Sequence, residues 1–232
     1  MVRNWRMFRV VLYCRRKGYR GLIKTRVVIY DCDGVLFDSR ESNEAFYNHI
    51  LDHFDLPPLR SEQLDLVHVS TAEEAVDYLF QCSPLKSKAH AYREAIDYRP
   101  FVPLMRMEPH LLEVLRSLRR SSYWTAIATN RALSMPSVLR VHKLEGVFDL
   151  TVTALDVTRP KPHPECLWKI LNYFKVGPDE AIYIGDAETD RLVAQRASVP
   201  FAAYKNPKLN ADYHIRDHRE LLEMFHLTPE KT

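Results

Sequence analysis

The 232-residue chain is 46% hydrophobic with a formal charge of +3, enough apolar material for one α/β domain with an insertion or for two small domains. Fourteen prolines, six glycines and four scattered cysteines (Cys14, Cys32, Cys82, Cys166) without a CxxC pair argue against low-complexity sequence, a disulfide framework and a cysteine zinc site, and they fit a reducing cytoplasm. No apolar run approaches the roughly 18 residues that span a membrane.

The charge is uneven. Residues 1–24 hold eight basic residues and no acid, so the rest of the chain carries a net −5. Trp5, Phe8 and Leu12 recur there at helical spacing, a pattern open to an amphipathic surface helix, to a frayed arm, or to an overlong start with Met7 as an internal alternative.

The run from Val27 to Tyr30 is β-branched and aromatic, a buried-strand signal that ends in Asp31, Cys32, Asp33 and Gly34. Alternate strand residues share a side, so Asp31 and Asp33 can face one site while Cys32 turns away. Helices are expected over Glu41–Phe54, from the capping box at Thr71–Glu74 through Phe80, and over Pro84–Tyr98, with a shorter turn near Ser61–Val67. Pro100 and Pro103 mark a linker back. This organisation predicts an arm over 1–24, a core formed by 25–39 and 104–232, and an inserted helical-bundle cap over 40–103.

From Pro109 onward helices and strands alternate. Helices are expected over Pro109–Arg119, around Ser134–Leu144, and over Pro164–Phe174, Thr189–Ala197 and Arg219–Phe225. Strands are expected over Tyr123–Thr129, Leu150–Ala154, Ala181–Ile184, Phe201–Tyr204 and near Tyr213. Such alternation predicts an α/β fold with a doubly wound, Rossmann-like parallel sheet, whose ligands bind beyond the carboxyl ends of the strands.

Polar residues collect at those ends. Besides Asp31 and Asp33 there are Thr129 with Asn130, Lys161 between two prolines, and Asp186 with Asp190 four residues on. Four carboxylates against one lysine need a cation, and an all-oxygen donor set favours Mg²⁺. A carboxylate beside a metal and a lysine can attack phosphorus, while a second carboxyl serves the leaving group as acid and then the water as base. The Thr129 hydroxyl and nearby amides suit the equatorial oxygens of a transferring phosphoryl.

The segments DCDGVLFDS, ATN, KPHPE and IGDAETD resemble, in order and spacing, the four motifs of the haloacid dehalogenase superfamily. The resemblance runs from about Val27 to the C-terminus, and the helical insert resembles the type 1 cap of the phosphoglycolate phosphatase and beta-phosphoglucomutase branch. It implies Asp31 as nucleophile, Asp33 as acid/base, Thr129 as phosphate ligand and Lys161 as charge clamp. It also implies Mg²⁺ held by Asp31, the Asp33 carbonyl and Asp186, with Asp190 supporting, and a Gly34–Ser39 turn coupled to cap closure. Asp33 argues against dehalogenation, because dehalogenases of this superfamily generally lack that second acid. Ser198 stands where the family usually has glycine.

Asn130 and Lys161 are further candidates for substrate contact, and His68 and Ser70 are candidates from the cap. The expected activity is Mg²⁺-dependent hydrolysis of a small phosphorylated metabolite through an aspartyl-phosphate, in the cytoplasm, by a monomer or homodimer without nucleic acid. The alternatives are a phosphomutase of the same fold and a non-catalytic adaptor that binds an anionic partner through the basic arm.

Overall fold

The computed structural model describes residues 24–228, so the basic arm lies outside the described residues except for Lys24. Strand β1 (Val27–Tyr30) is central, with β4 (Trp124–Ala128) and β6 (Ala181–Gly185) on either side of it. All four β1 residues are buried, and Tyr30 aligns with Ile127 of β4 and Ile184 of β6. Beyond these lie β5 (Leu150–Val152) on one edge and β7 (Phe201–Tyr204) and β8 (Tyr213–Ile215) on the other, giving the parallel order β5-β4-β1-β6-β7-β8. The chain winds outward from β1 in both directions. The switch point therefore falls where β1, β4 and β6 end side by side, about 4.8 Å between neighbours.

Alternation along β1 divides the core. Val28 and Tyr30 pack with α5 (Leu111–Arg120), α6 (Met135–Val141) and α9 (Arg219–Met224). Val27 and Ile29 pack on the other face with α7 (Glu165–Phe174) and α8 (Glu188–Ala197). The period of two continues past the strand end: Cys32 belongs to the first apolar cluster, which leaves Asp31 on the side of α7 and α8.

The chain leaves the core through β2 (Phe37–Asp38) and returns through β3 (Arg106–Met107), an antiparallel pair. Between them lie α1 (Arg40–His53), α2 (Ser61–Val69), α3 (Ala72–Leu79), α4 (Lys86–Ala95) and a short 3-10 helix over Arg99–Leu104. These helices bury a cluster of their own, including Phe46, Ile50, Val67, Val76 and Phe80. The Thr71 cap forms as expected: its hydroxyl accepts from the Glu74 amide, and Glu74 accepts from the Thr71 amide. Two expectations are corrected. The turn near Ser61–Val67 is a full helix, opened by the Arg60 amide donating to the Gln63 side chain. The helix expected over Pro84–Tyr98 is shorter and stops at Ala95, where Ile96 turns extended and Asp97 accepts from the Arg99 amide.

No described helix is long and apolar enough to cross a membrane.

Candidate active site

Asp31 stands one residue beyond β1, buried at 7% exposure. The Lys161 ammonium lies 2.7 Å from an Asp31 oxygen and 2.7 Å from an Asp190 oxygen, itself almost fully buried. Burial opposes a charged lysine, but Asp190 and Asp31 outweigh it and hold the ammonium protonated far above its ordinary range. Asp190 is on the first turn of α8, where its second oxygen accepts from the Ala187 amide at 3.2 Å. Its first oxygen also accepts from the Tyr183 hydroxyl at 2.7 Å, and Lys161 donates to that hydroxyl at 3.0 Å.

Asp186 follows β6 directly. Its carboxylate, with those of Asp31 and Asp190, offers oxygens that all lie within 4.8 Å of one another. Burial first, and then the charges of Asp190 and Asp31, push Asp186 well above the ordinary carboxylate range. Burial and then the Asp190 charge push Asp31 up to about 7, against the pull of Lys161. Three crowded carboxylates with one lysine thus carry an electrostatic cost that a hard divalent cation would remove, and every donor in the group is oxygen. The turn is built to that crowding. Gly34 has φ +75°, and a Cβ on it would fall 2.0 Å from an Asp186 oxygen, so only glycine fits.

Asp33 has a different partner. Arg131 donates from Nε to one oxygen at 3.1 Å and from an Nη to the other at 2.5 Å, a bidentate pair. Burial would raise Asp33, but the guanidinium prevails and holds the carboxyl below its usual range. Lys161 is therefore not the sole cation among the acids, as the count of charges along the sequence had it: Arg131 is a second one. The Arg131 guanidinium also donates to the Ser134 hydroxyl at 3.2 Å and stacks 4.7 Å from the centre of the Tyr98 ring.

Thr129 follows β4, 3% exposed, with its hydroxyl accepting from the Arg131 amide at 3.0 Å. Asn130 turns to Lys161 rather than into open space: its Nδ2 donates to the Lys161 carbonyl at 3.0 Å, and its Oδ1 accepts from the Lys161 amide at 2.9 Å. Asn130 thereby ties the loop after β4 to the loop that carries the lysine.

A cleft of about 890 Å³ opens above Asp33 between the sheet and the inserted helices. His68 and Ser70 both line it. His68 sits in the last turn of α2, half-buried, 3.3 Å from the Asn43 amide nitrogen; burial and then Arg40 lower its pKa. Ser70 ends α2 and donates its hydroxyl to the Leu66 carbonyl.

Tyr183 is the site residue least visible in the sequence, and Arg131, which the sequence offers as a candidate for substrate contact or for an ion pair with a surface acid, is not matched there to Asp33. In AIYIG the tyrosine looks like strand core, and its parity with the Val27/Ile29 face was the available signal. Arg131 meets Asp33 across 98 residues of chain, and no local pattern marks that pairing.

Residues 28–204 match the family described as haloacid dehalogenase-like hydrolase. The chain belongs to this family. Among haloacid dehalogenase-like relatives, the pyrophosphatase PpaX of Bacillus mycoides (strain KBAB4) is 26% identical over 182 residues, covering 78% of this chain and 84% of that one. The crystal structure of a subfamily IA, variant 1 hydrolase of Geobacter sulfurreducens is similar at 43% identity and TM-score 0.76, covering 87% and 96% of the two chains. CbbY of Rhodobacter sphaeroides, solved in complex with phosphate, shares the fold at 18% identity and TM-score 0.68, covering 85% and 96%. The chain is a hydrolase of the haloacid dehalogenase superfamily, with phosphatase-named relatives, a parallel sheet core and a helical cap.

Proposed function

We propose that the chain is a Mg²⁺-dependent phosphatase acting on a small phosphorylated metabolite through an aspartyl-phosphate. The observation that carries this reading is the buried Lys161 ammonium held 2.7 Å from both Asp31 and Asp190, with Asp186 beside them. Such an arrangement leaves one carboxylate, Asp31, at the strand end with a fixed positive charge to screen an incoming phosphoryl dianion. Asp31 attacks phosphorus, and the bond to the leaving oxygen breaks as that oxygen takes a proton from Asp33, which enters this step protonated and released from its ion pair with Arg131. Asp33 then takes a proton from the water that attacks the same phosphorus, which releases orthophosphate and restores the Asp31 carboxylate. The Thr129 hydroxyl holds an equatorial oxygen, and Asn130 keeps Lys161 in place through its backbone.

Asp31, the Asp33 carbonyl and Asp186 would hold Mg²⁺. Asp190, whose oxygens are taken by Lys161, Tyr183 and Ala187, would support the lysine. Bound there, the ion supplies charge neutralisation for the transferring phosphoryl and for the three carboxylates. The pyrophosphatase name of the Bacillus relatives and the phosphate bound by CbbY accord with phosphoryl chemistry.

The test is hydrolysis of para-nitrophenyl phosphate and of a broad phosphometabolite panel by the purified protein, with Mg²⁺ and with excess chelator. Asp31→Asn is expected to lower kcat by about 10⁴-fold or more while the thermal melt stays cooperative. Absence of wild-type turnover on every compound of the panel, with Mg²⁺ present, rejects the reading.

A further inference from the structure

The turn that carries Asp33 is held from the far end of the chain. Within the turn, the Gly34 amide donates to the Phe37 carbonyl at 2.8 Å and the Leu36 amide to the Cys32 carbonyl at 2.9 Å. Val35 and Leu36 are fully buried, so their own carbonyls need partners from elsewhere in the protein. The Leu36 carbonyl accepts from the Glu108 amide at 2.9 Å, and the Glu108 carboxylate accepts from the Tyr204 hydroxyl at 2.9 Å. The Val35 carbonyl accepts from Nε2 of His218 at 2.9 Å, across 183 residues of chain.

His218 directly precedes α9 and has no exposed surface. Its ring stacks on Tyr204, centroids 4.6 Å apart at 22°, and leans on Tyr30 at 5.8 Å. A carbonyl only accepts, so Nε2 carries the proton of the pair. Nδ1 is buried without a partner, and a second proton there would stand uncompensated. Burial accordingly pushes the imidazole down to about 4, against the Val35 carbonyl and Asp217, and the ring is neutral at pH 7. A phenylalanine would stack on the same tyrosine and leave no nitrogen unpaired. What the histidine adds is one N–H, aimed at Val35.

We propose that His218 is a positioning residue for proton transfer by Asp33: its neutral Nε2–H tautomer pins the Val35 peptide and so fixes the turn from which Asp33 reaches the leaving oxygen. The inference rests on the phosphatase reading above and deepens it. His218 touches neither substrate nor reacting atoms and moves no proton itself. Val35 is two residues from Asp33, and a general acid works only within hydrogen-bond reach of its acceptor, so a small displacement of this turn falls directly on proton donation. Asp31 is supported separately, by its amide donating to the Ile184 carbonyl at 2.9 Å and by Lys161. Loss of the His218 bond therefore impairs the acid more than the nucleophile.

The experiment separates the donor from the ring. His218→Phe keeps the stack on Tyr204 and removes the donor, while His218→Gln keeps a side-chain N–H directed at Val35. Both proteins, each checked for a cooperative melt, are assayed with benzyl phosphate, whose alkoxide leaves only with a proton, and with para-nitrophenyl phosphate, whose phenolate leaves without one. His218→Phe is expected to lower kcat/KM for benzyl phosphate relative to para-nitrophenyl phosphate by about tenfold or more, a part of what a general acid supplies, and His218→Gln to recover most of that ratio. A loss of folded protein scales both substrates alike and leaves the ratio unmoved. Hydrogen exchange reads the turn without turnover: the Gly34 and Leu36 amides are expected to exchange about tenfold faster in His218→Phe, the scale of one hydrogen bond, with β1 unchanged. Nitrogen NMR of the wild type is expected to show His218 as the Nε2–H tautomer at pH 7. An unchanged substrate ratio in His218→Phe, or a His218→Gln protein equally impaired, overturns this proposal and leaves the phosphatase reading standing. Unchanged exchange at the turn, or a wild-type imidazole protonated on Nδ1, overturns it even where no compound is turned over.

Discussion

The carboxylate cluster of the core and the cap wall of the cleft are built differently. On the core side, Asp31, Lys161, Asp190 and Tyr183 are buried and tied to one another by bonds of 2.7–3.0 Å. On the cap side, His68 and Asn43 meet at 3.3 Å, Ser70 spends its hydroxyl inside its own helix, and Arg93 keeps an unpaired Nε. The first is preorganised, so it pays little reorganisation when charge moves through it. The second retains unsatisfied polarity, as a surface waiting for a ligand does. On the proposed reading, a fixed floor and a less committed roof separate the reaction from the choice of substrate.

Removing the floor's cation breaks this contrast most severely. Lys161→Met leaves Asp31 and Asp190 buried without their partner. It is expected to cost about 3–5 kcal/mol of stability, read as a fall in the denaturation midpoint, and to abolish turnover. A Lys161→Met protein with wild-type stability would mean that the lysine does not hold the carboxylates together.

Metal and pH probe the same crowding reversibly. Asp31 is raised to about 7 by burial and by Asp190, above the roughly 3.9 of an unfolded aspartate. The folded state therefore holds the extra proton between those values, and metal-free stability is expected to fall as pH rises from about 4 to about 7, by a few kcal/mol. Mg²⁺ takes over from that proton, so its stabilising shift in Tm is expected to be larger at pH 7.5 than at pH 5.5. An equal shift at both pH values would place the binding elsewhere.

Tyr183→Phe is a finer cut. It removes a buried donor to Asp190 but keeps the ring in the core, at a cost of about 1–2 kcal/mol in chemical denaturation and a moderate loss of kcat, with KM little changed. An unchanged kcat would confine Tyr183 to packing.

The smallest effect belongs to the outside of α8. Ser198 has φ 57°, a left-handed conformation that costs a residue with a side chain about 1 kcal/mol relative to glycine. Ser198→Gly is expected to raise the denaturation midpoint by up to about that amount and to leave the activity alone.

Much of this was legible along the chain, for a physical reason. Buried parallel strands read as apolar runs, and the acids at their ends interrupt those runs abruptly, so Asp31, Asp33, Thr129, Asp186 and Asp190 stand out. The fold class follows from the alternation of strands and helices, and the family from the resemblance of the four motifs at those strand ends. What stayed hidden depends on contacts between distant segments. The pairs β2 and β3 are two residues each, too short for a period to appear. Asn130 lines the cleft, and its clasp on the Lys161 backbone is a contact no local pattern shows; Arg131 has no neighbour in sequence that points to Asp33. The α2 helix lacks a strong apolar stripe, which is why its residues read as a turn.

The small ribbon of β2 and β3 has a consequence for the origin of the cap. Its strands run antiparallel, with Phe37 facing Met107 and Asp38 facing Arg106, so the chain leaves and re-enters the core at neighbouring points about 5 Å apart. A segment whose ends meet so closely can be lengthened, shortened or exchanged without moving the sheet, because a tight hairpin would close the same gap. The core thus has a socket rather than a seam, and the helical segment can be exchanged as a cassette while the carboxylates of the core stay in place.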